Sequence, residues 1–231
     1  MVANRCGLIL AFGYFGITLT MLLGFLWAPQ VSIDAFASPD AQRIFYWHVP
    51  SAWAAFLAFG ILFIGSAMWM FRRSELGWKL HIAGAEAGLV TGIMTVWSGC
   101  IWGAAEWGVP WDWADPRLNT FGLLTLRAIY LVLGRQSQPD SVESRDTFST
   151  FGLYGFVLVP VTYDATRLWT IRHPGPVITT GDGGSLNSDM SIVLLIGALS
   201  FSICVIGHVL LSLQTSSLEQ SIALHEQQLD G

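Results

Sequence analysis

The chain has 231 residues, of which 53% are hydrophobic and 12% charged, and its mean hydropathy is +0.54. That balance excludes an ordinary soluble domain and indicates an all-α integral membrane protein. The net charge of -5, without any cluster of Lys and Arg, excludes nucleic acid as a partner.

The first apolar run, 7–28, follows Arg5 and closes on Trp27-Ala28-Pro29. It is longer than the apolar core of a signal peptide and has no small-x-small cleavage site, so an uncleaved membrane helix is expected. Further spans are expected at 51–71 and 82–102, with Pro50 in the first turn of the second, where its missing N–H costs nothing. Between 102 and 118 lies a tryptophan-rich loop. Two shorter helices, 120–135 and 148–165, come next, and Arg127 in the first of them is read as snorkelling to the interface, the alternative being an interior position opposite an acid. A sixth helix covers 190–213, and the tail 218–231 reads as a short solvated helix or frayed end. The polar stretch 136–146 and the Gly-rich stretch 179–188 are loops, so 1–231 forms a single membrane domain, a six-helix transmembrane bundle.

An even number of spans puts both termini on one side. Arg5, Arg72, Arg73, Lys79, Arg135 and Arg145 fall on that side, against Arg43, Arg117, Arg167 and Arg172 on the other, and the positive-inside rule makes the termini cytoplasmic. The tryptophan loop then faces outward.

That loop carries the chemistry. Trp102, Trp107, Trp111 and Trp113 form a row of indoles in a place normally given to small polar residues, and Gly103, Gly108 and Pro110 let the backbone turn close to a flat ligand. An interfacial aromatic belt accounts for scattered residues such as Trp27, Trp53 and Trp69, but not for this spacing. Asp112, Asp115 and Arg117 supply a polar edge; Arg117 either meets a ligand carboxylate or pairs with its neighbours.

Two histidines share the outer layer: His48 ahead of the second helix, and His173 after the fifth, in Arg172-His173-Pro174-Gly175-Pro176. Two imidazoles facing a shelf of indoles suit haem, with nitrogen on both axial faces of the iron and flat apolar walls along the porphyrin. The bland alternative for each histidine is a bond to nearby backbone. Cys6, Cys100 and Cys204 stand apart, with neither a zinc spacing nor a Cys-x-x-Cys-His haem attachment motif.

The segment Trp107-Gly108-Val109-Pro110-Trp111-Asp112-Trp113-Ala114-Asp115-Pro116-Arg117-Leu118 resembles the "WWD" signature of the haem-handling superfamily. His48-Val49-Pro50-Ser51-Ala52-Trp53 resembles the first ligand motif of its short member, the haem exporter protein C (CcmC) family of cytochrome c maturation. Gly99-x-x-Trp102-Gly103 leads into the signature as in that family, and the resemblance covers nearly the whole chain. It implies that His48 and His173 are axial ligands of a transiently held, non-covalent haem b, cradled by Trp102, Trp107, Trp111, Trp113, Asp115 and Arg117. It also implies a multi-pass protein of the cytoplasmic (inner) membrane with its haem site on the periplasmic face. Delivery to the haem chaperone CcmE follows, with the ABC transporter subunits CcmA and CcmB driving release, so the chain is a transfer platform and not a standalone enzyme. One departure is Ala114, which lengthens the loop by one residue; Asp115 is taken as the signature aspartate and Asp112 as its reserve.

Two other readings stay open: a haem lyase acting on apocytochrome, and a structural or permease subunit with only an aromatic belt. His81, Glu86, His208 and His225 are read as satisfied packing or surface groups, His208 being the one intramembrane candidate.

Overall fold

A computed structural model describes residues 2–30, 36–168 and 186–229. Among them every regular element is helical: α1 (Val2–Leu26), α2 (Phe45–Arg72), α3 (Glu75–Trp107), α4 (Pro116–Gln136), α5 (Val142–Tyr154), α6 (Leu158–Leu168) and α7 (Ser188–Leu229). Four stretches, Arg5–Leu26, Ala41–Arg72, Glu75–Trp107 and Ser188–Glu219, are long and apolar enough to cross a membrane.

The centre is the antiparallel pair α2 and α3. Their connection is two residues long. Arg73 adopts a left-handed conformation (φ 51°), its N–H bonding the Trp69 carbonyl at 2.9 Å, and Ser74 caps α3 by accepting from Gly77 N at 3.3 Å. The pair approaches closely because α3 carries glycine where α2 presses hardest: a Cβ on Gly84 would stand 2.8 Å from the Leu62 Cα, and one on Gly88 would enter the Phe59 ring. Small residues at such a seam gain dispersion contacts that lipid-exposed surfaces cannot match. On one side α7 packs against the pair and α1 packs along α7; on the other, Phe121, Leu124, Ala128 and Leu131 of α4 join Phe148 of α5 against Phe59, Leu62 and Trp78.

Several boundaries differ from those expected. The second helix starts at Phe45 and not at 51, preceded by a 3-10 turn at Ala41–Ile44, so Pro50 is its sixth residue and forfeits one bond to the Tyr46 carbonyl. The expected helix 148–165 is divided into α5 and α6 by a 3-10 turn, Gly155–Val157. Pro160 explains the break, since it lacks the N–H that the Phe156 carbonyl would bind and its ring crowds that carbonyl. The tail continues as helix, making α7 42 residues long, about 63 Å at 1.5 Å per residue. The tryptophan segment is helical up to Trp107 and again from Pro116, so its irregular part is only 108–115.

Candidate functional site

The start of α2, the end of α3 and the start of α4 meet at one end of the bundle. His48 is on α2, four residues in, and not in a preceding loop. Its imidazole lies against α3 at the Ser98–Gly99 step, where a Cβ on Gly99 would sit 3.0 Å from His48 Cε1, and its Nδ1 is 3.0 Å from Ser98 Oγ. Trp102 and Gly103 are one helical turn further along the same helix. Sequence alone singled out His48 and Trp102 but not Ser98, the residue that meets His48 from α3.

A second layer locks this end together. Glu106, in the last turn of α3, accepts from the backbone N–H groups of Ala37 (3.0 Å) and Ser38 (2.9 Å). Trp102 Nε1 donates to Gln42 Oε1 at 3.1 Å, and Arg43 Nη1 donates to the carbonyls of Gly24 (2.8 Å) and Ala28 (3.0 Å) at the end of α1. Glu106 and Gln42 had no assigned role in the sequence reading. Their partners lie 68 and 60 residues away, beyond any local motif.

The indoles form two pairs. Trp102 and Trp107 meet edge to face with centroids 5.0 Å apart; Trp111 and Trp113 are tilted by 60° at 5.9 Å. Gly108, with φ 77°, ends α3 in the left-handed conformation that glycine adopts without strain. Beyond it Trp111 rests on Gly122 of α4 and donates to Asn119 Oδ1 at 3.3 Å, while Asn119 Nδ2 donates to the Trp113 carbonyl at 2.8 Å. Trp102 is buried and Trp113 is 81% exposed, so the row passes from the core to the surface.

The two acids have different tasks. Asp112 accepts from the Ala114 N–H at 2.9 Å, closing a local turn. Asp115 is buried and caps α4 by accepting from Arg117 N at 2.9 Å, with Pro116 at the first helical position. Its Oδ2 stands 3.8 Å from Arg117 Nη2, so Arg117 is paired with Asp115 and not with Asp112. Arg117 Nε and Nη2 and Asp115 Oδ2 are buried without a hydrogen-bond partner among the described residues. Burial lowers the Arg117 pKa and the Asp115 carboxylate acts in the opposite direction.

His173 lies outside the described residues. The chain is described again from Leu186, which packs with Ala28, Tyr46, Met190 and Val193 at the end of the bundle that carries His48. Arg127 does not snorkel. It is 9% exposed, its guanidinium lies 5.2 Å from the Phe59 ring centroid, none of its nitrogens has a hydrogen-bond partner, and no acid faces it among the described residues. His208 Nε2 stands 3.6 Å from Glu86, which also pairs with Arg135 at 3.1 Å; His81 is buried, stacked on Trp78 and hydrogen-bonded to Ser66 at 2.9 Å. Cys6, Cys100 and Cys204 are all unpaired.

Comparison with known proteins supplies the family. The family model for Heme exporter protein C matches residues 2–228. A Heme exporter protein C of Bradyrhizobium diazoefficiens is 26% identical over 187 residues, covering 80% of this chain and 70% of the relative. One from Rhodobacter capsulatus is 30% identical over 129 residues, covering 56% and 51%. A putative cytochrome c biosynthesis ccmC-like mitochondrial protein of Marchantia polymorpha is 28% identical over 190 residues, covering 78% and 80%. With its helices, its histidine-bearing α2 and its tryptophan connection in place, and with the match running nearly from end to end, the chain belongs to the heme exporter protein C family.

Proposed function

We propose that this chain takes haem as cargo at the end of the bundle where α2 begins and α3 ends, and passes it to the periplasmic haem chaperone CcmE for cytochrome c maturation. The observation that carries this reading is the seat of His48: an imidazole fixed on the Ser98–Gly99 step, one turn from Trp102. His48 supplies one axial nitrogen and His173 the other, while the indole pairs present flat apolar surface to the porphyrin. The residues fit such a cargo at its polar edge too. Among the described residues Arg117 Nε and Nη2 are buried without an acceptor, and a propionate carboxylate satisfies the guanidinium by charge-assisted hydrogen bonds.

The chain acts as a transfer platform without catalysis of its own, holding haem b non-covalently while CcmA and CcmB drive release of the loaded chaperone. In the membrane, α4 and the broken α5–α6 pair complete six spans with both termini cytoplasmic, which puts the tryptophans on the periplasmic face of the inner membrane. The names borne by the relatives, heme exporter and cytochrome c biosynthesis proteins, support the haem-handling part of this reading.

The test is optical. The purified chain is expected to show a Soret band, and changing His48 and His173 together to Ala is expected to remove most of the haem. Full haem retention in that double variant overturns the ligand assignment. Capture of an apocytochrome Cys-x-x-Cys-His peptide in place of the chaperone favours the lyase reading.

A further inference from the structure

We infer that Ser98 is a positioning residue: it holds His48 in the tautomer that carries its proton on Nδ1, so that Nε2 presents its lone pair to iron. The inference rests on His48 being a haem ligand.

The argument is an inventory of protons. A serine hydroxyl has one hydrogen to give and lone pairs to accept with. Ser98 Oγ lies 2.7 Å from the Met94 carbonyl oxygen and 3.2 Å from that of Thr95, the usual placement for a serine bonding back to its own helix. A carbonyl oxygen only accepts, so the serine proton is committed there. Ser98 then has only lone pairs to turn toward His48 Nδ1 at 3.0 Å, and that nitrogen must bring the proton. The reverse assignment leaves two oxygen acceptors 2.7 Å apart, at a residue 5% exposed, with no proton between them.

Packing fixes the direction of the ring as well as its tautomer. Measured from the place where a Cβ on Gly99 would stand, the ring atoms Cε1, Nδ1 and Nε2 lie at 3.0, 3.5 and 4.0 Å, so Nε2 is the nitrogen held further from α3. A Cβ at position 99 would crowd the ring and require it to give by a few tenths of an ångström. The backbone beneath the ring is held too, since Ser51 Oγ donates to the His48 carbonyl at 2.8 Å. A ligand imidazole that donates its second N–H is both oriented and made more basic, and loss of such an outer partner weakens metal binding by about 10-fold or more.

The experiment uses the full chain in detergent. Nitrogen-15 spectra of the histidine-labelled apo protein, with His48 assigned by comparison with His48→Gln, are expected to show a protonated Nδ1 and an unprotonated Nε2. A proton on Nε2 in the unaltered protein overturns the inference without reliance on any variant of Ser98. In the haem-loaded protein Ser98→Ala is expected to raise the midpoint potential and weaken haem retention about 10-fold, because the imidazole loses the hydroxyl that accepts from it; Ser98→Thr, which keeps the hydroxyl, is expected to restore both. Unchanged potential and affinity in a folded, haem-loaded Ser98→Ala protein also overturn it. If His48→Ala keeps the haem with its spectrum unaltered, the ligand reading itself fails, a result separate from where the proton sits.

Discussion

Asp115 serves Arg117 twice: Oδ1 accepts the Arg117 backbone N–H at 2.9 Å, and Oδ2 stands 3.8 Å from the same residue's guanidinium. One buried carboxylate therefore starts α4 and supplies the counter-charge for the only cation in its first turn.

Asn caps helices about as well as Asp but carries no charge. Asp115→Asn is expected to keep the cap and leave Arg117 without its counter-ion, whereas Asp115→Ala loses both, the cap alone being worth about 1 kcal/mol. Thermal unfolding in detergent should therefore rank the unaltered protein above Asp115→Asn, and that above Asp115→Ala. Equal melting of the two variants would show that the cap contributes nothing measurable.

Gly84 and Gly60 provide a matched pair. A Cβ at Gly84 meets the α2 backbone, while one at Gly60 meets nothing within 4 Å. Gly84→Ala is expected to force α2 and α3 apart at a cost of about 1–3 kcal/mol. Gly60→Ala should instead gain up to about 1 kcal/mol from helix propensity. Folded yield and melting temperature of the two alanine variants read the difference; matching losses at both sites would contradict the close seam.

At the opposite end, Asp146 accepts from Trp69 Nε1 at 2.9 Å and pairs with Arg73, and Asp140 pairs with Arg145, whose Nε is 2.6 Å from Oδ1. These hydrogen bonds with arginine hold both carboxylates below their ordinary pKa. A carboxyl whose folded pKa is depressed contributes stability above its unfolded value of about 3.9, and that contribution is lost as pH falls through the folded pKa. The melting temperature is expected to drop on acidification below about pH 4, and to drop less in the Asp140→Asn, Asp146→Asn double variant. An identical acid limb in the double variant would place the source elsewhere.

The long apolar runs made α1, α2, α3 and α7 legible, because twenty consecutive apolar residues have few alternatives to a membrane helix. Their ends were harder to read. Pro50 suggested a helix start, yet a proline in the first turns forfeits a single bond, and the tertiary contacts of Tyr46 and Trp47 outweigh it. Asp115-Pro116 was a start signal in plain view, a capping residue followed by proline, although the helix was expected only from 120.

Of the candidate site, the residue types were legible and the pairings were not. Indoles and the Asp–Arg edge follow from chemistry at fixed positions around one connection, and the imidazole from its place near the start of α2. Ser98, Gln42 and Glu106 owe their roles to partners 50, 60 and 68 residues away, and no periodicity announces those. A weaker signal was present: Gly84, Gly88 and Gly92 recur every four residues along α3, the mark of a helix face in close contact with a neighbour. Arg127 was misread because a cation inside an apolar run is normally expected to reach for water; here the Phe59 ring takes the place of solvent.

His48 and Ser98 belong to the same two helices whose glycine seam forms the middle of the molecule. The proposed ligand seat is thus not an appendage that can fail by itself. Substitutions deep in that seam, far from any tryptophan, are expected to appear first as a protein that is made and inserted yet emerges colourless, so pigment in a membrane preparation becomes a readout of helix packing.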